Sequence, residues 1–120
     1  MRYPRISSDS IGESHFSDVE LETRPAIYAP PAPPFDVSEY LPATRVVFAL
    51  LPEGWYGDLH PAPHRQFAFV LAGEVEVRAS DGETRSLTAG DVLFMEDTTG
   101  RGHATRNVAR GAVSIAFVQV

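Results

Sequence analysis

Two histidines and a glutamine, His60, His64 and Gln66, stand close together among prolines in HPAPHRQFAFVLAGEVEV (His60–Val77). A third histidine, His103, follows in GRGHATRN, and the fourth, His15, lies far upstream in GESHF. Imidazole nitrogens are the commonest metal ligands in proteins. Histidine is also intermediate in burial, and any one of these rings can instead bond backbone carbonyls at the mouth of a barrel. The rest of the chain narrows the chemistry further. It has no cysteine, which excludes thiolate catalysis, disulfide stapling and cysteine-ligated zinc. All ten basic residues are arginine, which excludes a Schiff-base lysine.

The formal net charge of -6, with arginines dispersed along the chain, argues against a nucleic-acid or anionic-membrane surface. No apolar run approaches the roughly 20 residues of a membrane helix. The opening MRYPRISSDS has no apolar core of the kind a signal peptide needs. A cytoplasmic location is therefore expected. At 120 residues, one domain with a single core is the default.

The elements that must position the histidines read as strands. RVVFALL (Arg45–Leu51) is a β-branched and aromatic run without a turn residue, and FAFVLA (Phe67–Ala72) is apolar on both faces. EVEVRA (Glu74–Ala79) alternates strictly, SDGE (Ser80–Glu83) is an Asp-Gly hairpin turn, and TAGD precedes the strand VLFME. HATRN and VSIAFVQV complete seven or eight short strands with no helical stripe, the pattern of an all-β sandwich or barrel. Upstream, APPAPPFD (Ala29–Asp36) holds four of the ten prolines and must be extended. Residues 1–42 are expected to form an arm packed on the barrel or on a partner subunit, with residues 43–120 as the barrel. In that arm Phe16, Val19 and Leu21 suit a short added strand, and Tyr28, Phe35 and Tyr40 are expected to be buried.

The run from VLAG at Gly73 through TAGD and VLFME to His103 and Asn107 resembles the cupin superfamily. Its second motif, Gly-Asp, a strand, a loop, then His, three residues and Asn, matches GDVLFMEDTTGRGHATRN; the loop is two residues longer than usual, and Glu96 stands where proline is common. The resemblance covers about His60 to Asn107 and extends to small single-domain cupins that are similar in the GESHF segment. It implies an antiparallel double-stranded β-helix, or jelly-roll barrel, and a homodimer. The first motif is degenerate. Counting back from Gly73 puts Gln66 at the ligand glutamate, His60 at the first ligand histidine and Ala62 at the second.

The resemblance places ligands at His60, Gln66 and His103; His64, which the family pattern does not include, is a further candidate that could replace the missing imidazole, giving the set His60, His64, Gln66 and His103. If residues 60 to 64 were straight, their Cα atoms would be roughly 12–13 Å apart, too far for a compact site. Pro61 and Pro63 favour a bend that would bring the rings together. An amide in place of a carboxylate removes a charge that would balance a dication. A nitrogen and oxygen donor set suits Zn, Fe, Ni, Mn or Cu without choosing among them. Period-two alternation further places Phe94, Glu96, Thr105 and Asn107 toward the lumen as pocket residues, and Arg101 shares the parity of His103 and could take a carboxylate or phosphate. Trp55 is expected either as part of a lid or at a subunit interface.

Three functions fit these residues. One is a metal-dependent oxygenase, isomerase or hydrolytic enzyme acting on a small organic molecule. Another is a barrel that binds or senses such a molecule without reaction or tightly held metal. The last is a structural or regulatory partner whose barrel supplies an interface only, which a lumen packed solid with side chains would support.

Overall fold

The computed structural model describes residues 1–120, and all of its regular structure is strand. The strands are β1 (Arg2–Ser8), β2 (Ser14–Glu20), β3 (Arg24–Ala26), β4 (Phe35–Val37), β5 (Arg45–Leu51), β6 (Tyr56–His60), β7 (Gln66–Ala72), β8 (Glu74–Ala79), β9 (Thr84–Thr88), β10 (Val92–Glu96), β11 (His103–Asn107) and β12 (Val113–Gln119). A six-stranded sheet runs in the order β2-β1-β10-β7-β12-β5, and a four-stranded sheet in the order β6-β11-β8-β9. The remaining pair, β3 and β4, forms a ribbon of its own.

The core lies between the two larger sheets. From the six-stranded sheet come Ile6, Val70, Leu93 and Ile115; from the other come Val75, Val77 and Leu87. The alternation read in EVEVRA explains the second group: Val75 and Val77 are 1% and 3% exposed, whereas Arg78 faces water. Removing a side chain of this size from water contributes about 1.5–3 kcal/mol. The SDGE turn behaves as its sequence requires. Gly82 takes φ 98°, a conformation that a side chain disfavours, and closes the β8–β9 hairpin through the bonds Gly82 N–H to Ala79 O and Ala79 N–H to Glu83 O.

The upstream segment contributes more strand than its composition suggested. β1 lies parallel to β10, with Arg5 opposite Phe94 and Ile6 opposite Met95, and Ile6 is wholly buried. β2 pairs with β1 and forms one edge of the large sheet, while β5 forms the other. The expectation of burial for Tyr28, Phe35 and Tyr40 is not met in a single copy. They are 54, 48 and 83% exposed, because the β3–β4 ribbon pairs only with itself.

Candidate functional site

The two best-matched histidines meet as a cross-strand pair. β6 and β11 run antiparallel with His60 directly opposite His103, and the ring centroids are 4.7 Å apart. Directly opposed residues on antiparallel strands bring their Cβ atoms to about 4.5–5.5 Å, so the pairing register alone accounts for the convergence. A bulge between His103 and Thr105 follows at once. Gly102 makes the approach possible. It has φ 71°, and a Cβ there would overlap the carbonyl of His60 and the nitrogen of Pro61. Glycine is needed for the space as well as for the backbone angle.

Each ring is held by its Nδ1. The Asp58 carbonyl oxygen can only accept, so His60 Nδ1–H donates to it at 2.6 Å. His103 Nδ1 lies 2.6 Å from Asp97 Oδ2; Asp97 is fully buried and its Oδ1 has no hydrogen-bond partner. With both Nδ1 atoms engaged, Nε2 is the nitrogen each ring keeps for a ligand. Asp97 is the site residue that the sequence reading missed. Its signal was a carboxylate at the end of β10, six positions before His103.

Both rings line a cavity of about 410 Å³ between the sheets. Its walls are mainly apolar, with Val70, Val75, Val77, Leu87, Leu93 and Ile115 prominent among them. The polar groups reaching it are His60, Gln66, His103, Thr105 and Gln119. Gln66 is buried, and its amide nitrogen approaches the Met95 sulfur at 3.8 Å. Trp55 lines the cavity from the loop after β5, with its indole edge over Gly57, where a Cβ would come within 2.5 Å of Cη2. The interior is therefore not packed solid.

Other residues singled out from the sequence lie elsewhere. His64 is exposed and does not line the cavity; the bend at Pro61–Pro63 carries it outward while Ala62 is buried, with its N–H on the Asp97 carbonyl. On β10 the lumen parity is reversed: Leu93 and Met95 face the cavity. Phe94 instead stacks on Phe67 at 4.5 Å, in a second apolar cluster with Tyr3. Glu96 pairs with Arg65 at 2.7 Å and Arg5 at 3.6 Å. Arg101 pairs with Glu13 at 3.3 Å outside the cavity. Asn107 is buried but spends its amide on the carbonyls of Leu51, Pro52 and Gly111, fixing the loops at the end of β11. Of the five pocket candidates, Thr105 alone lines the cavity.

His15 also lies away from the cavity. Its Nε2 meets Asp9 at 2.8 Å and its Nδ1 meets Asp81 at 2.9 Å, tying the β1–β2 turn to the β8–β9 turn. Hydrogen bonds donated to Asp9, then to Asp81, hold the imidazole above its ordinary pKa, and the bond accepted from His15 holds the Asp9 carboxyl below its own. Beside this clasp, Ser14 is buried; its hydroxyl donates to Gly102 O at 2.6 Å and accepts from Ser80 N–H at 2.8 Å. Arg101 N–H donates to Gly12 O and Ser8 Oγ to Thr99 O. The GESHF segment thus braces the loop that presents His103.

Two facing sheets with a hollow between them define a double-stranded β-helix barrel. The chain belongs to the cupin domain family, whose model matches residues 46–118. No curated protein matches the chain. Among solved structures it is similar to a cupin 2 conserved barrel domain protein from Salinispora arenicola, at 19% identity and TM-score 0.51, covering 82% of this chain and 73% of that one. It is also similar to the Cnp3 cupin domain of Schizosaccharomyces pombe, at 16% identity and TM-score 0.48, covering 88% and 75%. An RmlC-like cupin from Shewanella frigidimarina matches at 19% identity and TM-score 0.46, covering 96% and 83%. At these identities the likeness concerns the fold alone.

Membership in the family implies a divalent metal, but the donor set does not fit a resident one. A catalytic zinc site supplies three protein ligands and a structural one four. Here two imidazoles converge, and no group of three His, Cys, Asp or Glu residues is placed to hold a metal ion. Gln66 is neutral, Ala62 stands at the second histidine position, and His64 is outside. Asp97, the buried carboxylate nearby, is engaged with Nδ1 of His103.

Proposed function

We propose that this cupin binds a small, mostly apolar organic molecule bearing one hydrogen-bonding group, such as a hydroxyl. The apolar wall takes the body of the molecule, and His60 and His103 take its polar end. The observation that carries this reading is a hollow of about 410 Å³, within the range of small-molecule sites, with two fixed imidazoles opening into it. Asp97 acts as a positioning residue. It sets the orientation of His103 and keeps Nε2 toward the ligand. Binding or sensing without a resident metal fits this donor set better than the metal-dependent alternative.

2-Naphthol, an apolar two-ring molecule with one hydroxyl, is a suitable probe for fluorescence or calorimetric titration. Binding is expected, with naphthalene weaker by about tenfold or more, because a hydrogen bond to a polarised imidazole contributes about 1.5–3 kcal/mol. His103→Ala should bring the two ligands to similar affinity. If naphthalene and 2-naphthol bind equally to the unaltered protein, the histidine pair has no recognition role. Metal analysis after gentle purification provides a second check. Stoichiometric zinc, iron, nickel or manganese that disappears in the His60→Ala/His103→Ala variant would restore the metal-dependent reading.

A further inference from the structure

The polar groups at the cavity do not suit every small ligand equally. His60 Nδ1–H donates to the Asp58 carbonyl, and His103 carries its Nδ1 hydrogen toward the buried carboxylate of Asp97. A neutral imidazole with its hydrogen on Nδ1 keeps a lone pair on Nε2. Both rings therefore present acceptors to the hollow, and neither can give a hydrogen to the other.

Gln66 adds a third acceptor. It is 5% exposed and lines the same cavity, and its side chain makes one polar contact, from the amide nitrogen to the Met95 sulfur at 3.8 Å. A thioether only accepts, so the amide turns its nitrogen that way and leaves Oε1 without a partner. On so buried a side chain, an acceptor left unpaired is costly until a ligand brings a hydrogen to it. Thr105 and Gln119, the other polar residues at the wall, are less buried and can donate as well as accept.

The charge at the site has one sign. No arginine lines the cavity, and the chain has no lysine. Asp97, which holds His103, is fully buried, and its Oδ1 has no hydrogen-bond partner. A buried charge without a counter-charge is strongly unfavourable. An anionic ligand finds no cation here and meets the field of that carboxylate. A monocation balances it one to one, whereas a dication leaves a charge over.

A primary ammonium combines three N–H donors with a single positive charge. Its tetrahedral arms hold two acceptors, each about 2.9 Å away, at about 4–5 Å from one another. The two imidazoles stand at a separation of that order, 4.7 Å between centroids. A hydroxyl donates one hydrogen and satisfies only one of the three acceptors.

We propose that the ligand is a primary amine with an apolar body, bound as its ammonium, with His60 Nε2, His103 Nε2 and Gln66 Oε1 as acceptors and Asp97 as the balancing charge. The inference rests on the small-ligand reading above and narrows it to one chemical class.

The test is calorimetric titration of the full chain at neutral pH, with a metal chelator present. The probes are naphthalene, 2-naphthol, 2-naphthoate, 2-(aminomethyl)naphthalene and the N-trimethylated form of that amine. The primary ammonium should bind about tenfold tighter than 2-naphthol, because bonds from a charged donor exceed neutral ones. The trimethylated ion keeps the charge but has no N–H, and should bind about tenfold more weakly than the primary one. 2-Naphthoate should be the weakest. Gln66→Met, similar in size but without the acceptor, should cut the preference for the primary ammonium over 2-naphthol to about threefold or less, with its fold checked by circular dichroism. The ligand series on the unaltered protein decides the matter even if that variant does not fold. Equal binding of the primary and trimethylated ions would show that charge suffices and overturn the three-acceptor site. 2-Naphthol or 2-naphthoate binding as tightly as the primary ammonium overturns the amine class and leaves the small-ligand reading standing. An unchanged preference in folded Gln66→Met protein removes Gln66 from the site and overturns the proposal as stated. Failure of all five probes to bind defeats the small-ligand reading and this inference with it.

Discussion

Gly102→Ala should damage this protein far more than a glycine substitution ordinarily does. Two costs combine. Forcing a residue with a Cβ to φ 71° costs roughly 1–2 kcal/mol. The added Cβ would also overlap the backbone of His60 and Pro61, which cannot move aside as a flexible side chain would. Relieving that overlap means separating β6 from the start of β11, at roughly 2 kcal/mol or more. Gly82→Ala is the matched control. It has φ 98°, but its Cβ would meet nothing within 4 Å, so only the first cost applies. Thermal unfolding of both variants isolates the difference. At about 4 °C or more per kcal/mol for a domain of this size, Gly102→Ala should melt at least about 8 °C below Gly82→Ala. The same variant should weaken 2-naphthol binding, because the His60–His103 pairing is disturbed. Equal melting temperatures for the two variants would show that close backbone approach at Gly102 does not hold the site together.

Further expectations concern the support of the site. Asp97→Ala leaves Nδ1 of a buried imidazole without an acceptor and should cost about 3 kcal/mol in urea unfolding, with a change in the His103 tautomer detectable by nitrogen NMR; an unchanged tautomer would remove the positioning role. Ile6→Ala should destabilise by about 2–5 kcal/mol, as a core truncation does, and a loss below 1 kcal/mol would mean that β1 is an accessory. The His15 clasp should be strongest above the lowered pKa of Asp9 and below the raised pKa of His15. The Asp9 contribution is lost as pH falls through its folded value, and the His15 contribution as pH rises through its own. The protection of the Ser14 amide, which bonds Ser80 Oγ at 2.7 Å, relative to a free amide at the same pH should therefore fall at both ends of that window, and His15→Ala should abolish the alkaline fall in protection.

The barrel was legible because its strands obey local rules. Val75 and Val77 face inward, Glu74 and Glu76 do not, and the Asp-Gly turn closes the expected hairpin. The meeting of His60 and His103 depended on spacing from Gly73 and on the motif around His103, both visible as letters. Parity on β10 was not legible. VLFME is apolar at four consecutive positions, so alternation cannot say which face is interior, and Phe94 went to the outer cluster with Tyr3 and Phe67. The route of the His60–Gln66 segment was equally hidden. Two prolines imply a bend without its direction, and burial of Ala62 rather than His64 was decided by the bond from Ala62 to the Asp97 carbonyl. Asn107 shared the parity of His103, yet the carbonyls of Leu51 at the end of β5 and of Pro52 and Gly111 in loops claimed its amide.

The parallel match of β1 to β10 has a consequence for assembly of the molecule. During synthesis β1 emerges long before its neighbour, and Ser8 waits for Thr99, 91 positions later. Until then Ile6 and Tyr3 have no partner from β10, and the nascent polypeptide carries an unsealed hydrophobic strip. Closure of such distant contacts is slow and leaves intermediates prone to stick to one another. Yield in cells should therefore respond to chaperone supply and growth temperature more than the melting point of the finished protein would suggest.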